Sequence, residues 1–254
     1  MMLCRWEKLP EEMRTLEVYD YYVILQGRKT SLFFKRVSDI VLSFIMLIIL
    51  TPLFLLLAVI IKADSPGPVF FRQVRVTQYG RTFRIHKFRT MFVGSYKGAP
   101  VTLNGDARIT RVGRFIRKYK IDELCQLIDV LAGNMTLVGT RPEVPHFTEK
   151  YTPEMMATLL LPAGITCLAS IYFKDEAELL KSASDVDKVY AEEILPVKMY
   201  YNLKEIKEFS LWNDIKVIAA TALAILGKEY KGDYTVPVKE TIEVASEENR
   251  LAVR

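Results

Sequence analysis

From Ile40 to Ile61 the chain carries no charged residue, and only Ser43, Thr51 and Pro52 interrupt an otherwise apolar run. A helix needs about 20 such residues to cross the hydrocarbon of a bilayer. A buried core helix of this length and uniformity is rare in a soluble domain. The run therefore sets the first constraint: the fold includes a membrane helix. Pro52 lies inside it. A proline there removes one backbone hydrogen bond and clashes with the preceding turn, so a kink is expected. The Thr51 hydroxyl beside it can bond a backbone carbonyl. Both flanks are basic, with Arg28, Lys29, Lys35 and Arg36 before the run and Lys62, Arg72, Arg75, Arg81 and Arg84 after it. A spanning helix would place one basic flank outside, against the positive-inside tendency. We therefore expect a re-entrant hairpin over 32–62, broken at Thr51-Pro52, with a Pro-kinked span as the alternative.

The rest of the 254-residue chain suffices for one ordinary domain. Its net charge of +5 is a mild bias that suits a phosphate-bearing partner, nucleotide or lipid headgroup, without choosing between them. Cys4, Cys125 and Cys167 are far apart and odd in number, which argues against a disulfide framework. Two histidines, His86 and His146, make a zinc site improbable. The first thirty residues contain Glu11, Glu12 and Asp20 and do not read as a signal peptide.

Around the apolar run we expect an N-terminal extension (1–31), with a short helix beginning near Pro10, a cytosolic domain over 63–228, and a loose tail over 229–254. Val69-Phe70-Phe71 and the alternating Phe83, Ile85 and Phe88 read as two strands of a hairpin. Arg108, Arg111, Arg114 and Arg117 recur every third residue, the pattern of a basic amphipathic helix at an anionic surface or of a solvated helix face. Further helices are expected over 121–131, from Thr152 to Leu161, within the acidic stretch 174–193, and over Trp212 to Leu226, the last as an interfacial or packing helix. The fold class is thus α/β, helix-rich with a small sheet.

Three segments could carry chemistry. Asp122-Glu123 follows a basic run at a predicted helix start, where positive charge keeps carboxylates ionised and phosphate is welcome. An ionised Asp beside a bound pyrophosphate can attack phosphorus, with Mg²⁺ shielding the repulsion. Taken alone, the pair also reads as ordinary acids of a first helical turn. Lys87-Phe88-Arg89-Thr90-Met91 presents two cations and a hydroxyl at a strand end. Gly139-Thr140-Arg141-Pro142-Glu143 is a stiff turn with an arginine able to reach an anion. No P-loop pattern occurs.

The order of these segments is more specific than any one of them. A Pro-broken hydrophobic hairpin precedes Gly67-Pro68-Val69-Phe70-Phe71-Arg72-Gln73, then the Lys87 to Met91 run. Asp106-Ala107-Arg108-Ile109-Thr110-Arg111-Val112-Gly113 comes next, then Asp122-Glu123-Leu124 with Gln126-Leu127, then Leu137 to Glu143. From about residue 32 to 226 the chain resembles the bacterial sugar transferases, the monotopic phosphoglycosyl transferases. That resemblance implies a domain on the cytoplasmic face of the bacterial inner membrane, a re-entrant helix broken at a hydroxyl-Pro pair (here Thr51-Pro52), and membrane-coplanar amphipathic helices. It implies that Asp122 attacks the β-phosphate of a UDP-sugar, releases UMP and passes the phosphosugar to polyprenyl phosphate. Mg²⁺ would sit at Asp122, with Glu123 as ligand or acid/base. Lys87, Arg89, Arg117 and Arg141 would stabilise phosphate, Arg141-Pro142 would face the nucleotide end, and Asp214 is a further site candidate. The resemblance leaves room for a homodimer.

The chain departs from the family pattern at Cys167-Leu168-Ala169-Ser170-Ile171, where many relatives carry a Gly-initiated run with Gln-Val, which leaves the donor sugar open. It also has Leu124-Cys125 where Leu-Pro is usual. The rival readings are a catalytically altered scaffold, opposed by the intact Asp-Glu pair, and a nucleic-acid-binding protein. No aromatic-basic or helix-turn-helix pattern supports the latter, so nucleic acid is not an expected partner.

Overall fold

The computed structural model describes residues 3–95, 106–173, 176, 180 and 185–226. Two short 3-10 turns (Trp6–Lys8, Glu11–Met13) lead into α1, Leu16–Gln26. Pro10 precedes the second turn, but the helix proper begins six residues later than the proline suggested, where the Thr15 hydroxyl caps it by accepting from Val18 N–H. α1 buries Val18, Tyr21, Tyr22 and Leu25 with Met13, Leu160, Ile206 and Phe209. The expected extension is therefore docked on the domain.

α2 runs Lys29–Asp64, 36 residues, and is helical through Pro52. Phe44, Ile48, Ile49, Leu55, Leu56 and Val59 on it are each more than half exposed. The Thr51 hydroxyl donates to the Leu47 carbonyl at 2.7 Å. That carbonyl is one residue before the Ile48 carbonyl that Pro52 deprives of its donor. Both ends of α2 hold to the rest of the chain. Near the start, Lys35 pairs with Asp214 at 2.6 Å, and the Asp39 carboxylate accepts from the Thr136 hydroxyl and Leu137 N–H. Near the end, Leu57 and Ile61 pack with Phe88, Ile116 and Cys125, and the Asp64 carboxylate accepts from Val112 N–H.

β1 (Phe70–Val76) and β2 (Thr82–Phe88) form the antiparallel hairpin the alternation predicted, with Phe70 opposite Phe88 and Arg75 opposite Phe83. One face presents Phe71, Gln73, Arg75 and Lys87 to a cleft, while Phe83 and Ile85 on that face enter the core with Val130, Met135 and Ala163. The basic helix, α3, spans Arg111–Lys118. Arg108 lies outside it: the Thr110 hydroxyl caps the helix at Gly113 N–H, and Arg108 instead pairs with Asp106. Gly113 is required because a Cβ there would stand 2.1 Å from the Thr90 carbonyl oxygen.

The expected 121–131 helix is a 3-10 helix, Ile121–Gln126, followed by α4, Leu127–Leu131. Its buried face is Cys125, Leu127 and Val130 rather than the Leu124-Leu127-Ile128-Leu131 stripe, because the tighter turn rotates the register. β3 (Met135–Val138) pairs in parallel with β4 (Ala163–Thr166), a second small sheet the sequence reading did not anticipate. α5 (Pro145–Thr148), a 3-10 helix over Met155–Leu160 and α6 (Leu168–Tyr172) follow. Then come α7 (Val186–Val189), a π turn (Tyr190–Ile194), α8 (Leu195–Lys207) and α9 (Leu211–Ile225). Part of the acidic stretch and the whole expected tail lie outside the described residues.

Candidate active site

A cleft of about 460 Å³ opens between the hairpin, the 3-10 helix of the Asp-Glu pair and the loop after β3. Lys120 turns the chain into that helix with a left-handed φ of 55°. The six-residue helix is too short for its dipole to dominate, so the charge state of the pair is set by side chains around it. Glu123 is saturated. Lys87 Nζ lies 2.8 Å from its Oε1, and Arg141 binds both of its oxygens, with Nη1 to Oε2 at 2.9 Å and Nη2 to Oε1. Burial alone would raise its pKa, but Arg141 and Lys87 outweigh burial and hold it well below the carboxylate range. Arg141 is reciprocally raised by Glu123. Burial lowers Lys87 below the usual lysine value, against the pull of Glu123.

Asp122 shares the burial of its neighbour but not its partners. Its side chain is buried, and Oδ1 has no hydrogen-bond partner. Burial first, and the Glu123 charge second, raise its pKa, opposed by Lys87, Arg117 and Lys120. Arg117 and Lys120 both line the cleft, and neither makes a side-chain hydrogen bond or ion pair among the described residues. The Asp122 backbone carbonyl accepts from the buried Cys125 thiol, which burial pushes up to about 12. Cys125 therefore serves as packing, with Leu57, Ile61, Phe88 and Ile116.

Five of the residues singled out in the sequence, Lys87, Arg117, Arg141 and the Asp122-Glu123 pair, meet in one place. Three others do not act there as expected. Arg89 lines the cleft but is only 5% exposed, and its guanidinium is committed elsewhere. It donates to the Pro66 carbonyl at 2.8 Å, the Ser65 carbonyl at 2.6 Å, the Ser65 hydroxyl at 3.0 Å and the Ile61 carbonyl at 3.3 Å. It is the clamp on the end of α2. Asp214 is held by Lys35 and does not line the cleft. Pro142 contributes its carbonyl to Arg75 Nη1 at 3.0 Å rather than a wall of the cleft.

Sequence reasoning missed a second polar group in the same cleft. The Glu143 carboxylate accepts from the Tyr190 hydroxyl at 2.6 Å, and Lys198 Nζ lies 2.8 Å from that hydroxyl, 3.0 Å from Glu176 and 3.5 Å from Glu143. The only sequence signal was Glu143 itself, inside the Gly139 to Glu143 turn. Phe70, Phe71, Phe92 and Val93 give the cleft an apolar part of its lining. No cluster of three or more His, Cys, Asp or Glu side chains gathers among the described residues. The unpartnered Asp122 oxygen suits a hard cation that takes its other ligands from phosphate and water, whereas both oxygens of Glu123 are already bound.

The sequence profile described as bacterial sugar transferase matches residues 30–228. The chain belongs to that family. It is 39% identical over 198 residues to the UDP-N-acetylgalactosamine-undecaprenyl-phosphate N-acetylgalactosaminephosphotransferase of Aeromonas hydrophila, covering 76% of this chain and 44% of that protein. It is 38% identical over 201 residues to a UDP-glucose:undecaprenyl-phosphate glucose-1-phosphate transferase of Xanthomonas campestris, covering 77% of this chain and 39% of that protein. The UDP-glucose:undecaprenyl-phosphate glucose-1-phosphate transferase of Caulobacter vibrioides is 36% identical over 197 residues, covering 76% of this chain and 69% of that protein. The chain spans about two fifths of the length of the first two relatives. Residues 3–29, including α1, lie before the family match, whereas every residue of the Asp122 site lies inside it.

Proposed function

We propose that this chain transfers a phosphosugar from a UDP-sugar to polyprenyl phosphate through a covalent aspartyl intermediate on Asp122, at the cytoplasmic face of the bacterial inner membrane. The observation that carries this is the contrast within a buried pair: Glu123 is locked by two cations, while Asp122 beside it has an oxygen without a partner and a raised pKa. A carboxylate made more basic and poorly solvated is a better nucleophile than one held in a salt bridge. Relatives named for sugar-phosphate transfer to undecaprenyl phosphate support the substrate class.

In the first half-reaction an Asp122 oxygen bonds to the β-phosphorus, and the bond from that phosphorus to the bridging oxygen breaks, so UMP leaves. Arg117 and Lys120, the cleft cations whose side chains make no hydrogen bond or ion pair among the described residues, take the phosphate charge. Glu123 keeps Lys87 and Arg141 in place beside it. In the second half-reaction a polyprenyl-phosphate oxygen attacks the same phosphorus and the Asp122 bond breaks. Mg²⁺, held by Asp122 with Glu123 behind it, would supply charge neutralisation at the phosphates. The apolar lining of Phe70, Phe71, Phe92 and Val93 suits the start of a prenyl chain.

The membrane placement rests on α2. A straight helix would put Asp39 and Ile61 about 33 Å apart. Their anchors, Leu137 and Arg89, belong to segments tied together: the Asp129 carboxylate accepts from His86 N–H at 2.8 Å, and its carbonyl accepts from Asn134 N–H at 3.0 Å. A helix whose two ends hold to one body does not deliver them to opposite sides of a bilayer, which favours a re-entrant helix, bent at Thr51-Pro52 rather than folded into a hairpin, over a span. Cysteines at positions 30 and 66 should both be shielded from an impermeant thiol reagent in intact cells; labelling at 30 alone would mean a span.

The chemical test is trapping. Purified protein with Mg²⁺ and UDP-sugars labelled at the β-phosphate, without lipid, should yield labelled protein and stoichiometric UMP, and Asp122→Asn should yield neither. Lipid-dependent UMP release without any labelled protein would mean direct transfer and would remove the aspartyl intermediate.

A further inference from the structure

The cleft has two chemically different parts. Around Asp122 the free groups are cations. Elsewhere in its lining Glu143, Tyr190, Lys198 and Glu176 form a chain of acceptors and donors, each within 3.5 Å of the next, with Arg75 and Val144 alongside. The Glu143 and Lys198 side chains are 7% and 6% exposed. The four residues come from the loop after β3, position 176, the π turn and α8. π turns are uncommon and recur at functional sites, and this one carries Tyr190. Phe147 lies against it with ring centroids 4.4 Å apart and also lines the cleft. The fold thus delivers two carboxylates, an ammonium, a phenol and an aromatic face to one spot.

We propose that this second cluster is the subsite for the sugar ring of the donor, and that Glu176, positioned by the Tyr190–Lys198 pair, determines which hexose is accepted. The inference rests on the phosphosugar-transfer reading. Two arguments choose the sugar over the nucleoside. Carboxylates repel phosphate but accept hydroxyl hydrogens, and interleaved donors and acceptors beside an aromatic ring match a neutral polyol. Connectivity gives the second argument. The sugar is one oxygen from the phosphorus that Asp122 attacks, whereas the nucleoside lies beyond the α-phosphate. The cluster adjoins the reaction centre: the Arg141 guanidinium that grips Glu123 also feels Glu176 and Glu143. Glu176 is the least buried member, with a quarter of its side chain exposed, and it is the one free to exchange its Lys198 bond for a substrate hydroxyl.

The test compares wild type, Glu176→Gln and Tyr190→Phe with UDP-glucose, UDP-galactose and their 2-acetamido counterparts, alongside product inhibition by UMP. Ratios of kcat/KM between donors cancel any loss of folded enzyme, so a destabilised variant still reports. The expected result is a change of about tenfold or more in the ratio between C4 epimers or between 2-hydroxy and 2-acetamido donors, with the UMP inhibition constant unchanged. Weakened UMP inhibition with unchanged donor ratios would assign the cluster to the nucleoside and overturn the proposal. Unchanged ratios and unchanged UMP inhibition in both variants would make the cluster purely structural and overturn it too. Absence of turnover by wild type with every UDP-sugar would remove the underlying transfer reading first, and this inference with it.

Discussion

Replacing Arg89 by Met separates two roles that the sequence could not. A phosphate ligand and a structural clamp both look like an arginine at a strand end. Met keeps the apolar stem and removes the four donor contacts. The Ile61 carbonyl still accepts from Ser65 N–H, so two carbonyls, those of Ser65 and Pro66, lose their partners. Ser65 is buried, so its unpaired carbonyl costs about 1–3 kcal/mol, whereas the exposed Pro66 can turn to water, and relief from burying a guanidinium offsets part of the cost. A net loss of about 1–2 kcal/mol follows, roughly 2–8 °C in Tm for a chain of this size. Because Arg89 ties α2 to the hairpin, the loss should appear as unfolding in detergent or nanodiscs, with donor KM nearly constant for the folded fraction. Gly67 supplies a control. A Cβ there would stand 2.0 Å from Arg89 Nη1, so Gly67→Ala should destabilise in wild type and less so alongside Arg89→Met. An Arg89→Met protein of wild-type Tm with donor KM raised tenfold or more would refute the clamp and restore the phosphate role.

Three more outcomes test the site and its scaffold. Asp122→Asn should abolish transfer and raise Tm, because a carboxylate whose folded pKa is raised above its unfolded value is a penalty at neutral pH that Asn removes; by the same sign, kcat/KM of wild type should fall with acid at a pH above the ordinary Asp range of about 3.9. Wild-type Tm or higher is the deciding reading, since a lowered Tm would mean that Asp122 is a structural partner. Gly164→Ala should cost about 3 kcal/mol or more and remove soluble, active protein, since its Cβ would lie 2.1 Å from the Gly139 carbonyl oxygen in the loop that carries Arg141; denaturant unfolding measures this. Glu205 accepts from Leu168 N–H and is pushed up to about 8 by burial and Asp214. Its contribution is fully present below its unfolded pKa of about 4.3 and is lost as pH rises through about 8, so Glu205→Gln should flatten the fall in stability between those limits, and an unchanged slope would exclude the effect.

The features legible in the sequence are those whose information is local. The hairpin shows as alternation, the apolar helix as an uncharged run, and the Asp122-Glu123 pair as two acids after a dense basic run. What was not legible depends on partners far along the chain. Asp214 looked like a site acid until Lys35, 179 residues away, took it. Arg89 looked like a phosphate ligand because the carbonyls that claim it belong to the end of a helix 24 to 28 residues upstream. β3 and β4 have four residues each, too few to show a period, and their close approach through Gly139 and Gly164 exists only in three dimensions. The second cluster joins residues 47 and 55 positions apart, none of them part of a recognisable motif except Glu143.

Two adjacent acids of equal charge meet different surroundings because successive residues of the 3-10 helix point about 120° apart. Glu123 reaches both Lys87 and Arg141 and is fixed as an anion. Asp122 reaches neither and keeps an oxygen free. Glu123 then acts on Asp122 in two ways. Its fixed charge raises the affinity of Asp122 for a proton, and by the same electrostatics for phosphorus. By occupying Lys87 and Arg141 it also keeps them from pairing with Asp122 before substrate arrives. The cations left for the phosphates are therefore Arg117 and Lys120, which stand at the end of α3 and in the tight turn after it. Reactivity at Asp122 is in this sense a property of the pair and its four cations, and the folding penalty of a buried, unpartnered carboxylate is the same quantity seen in stability.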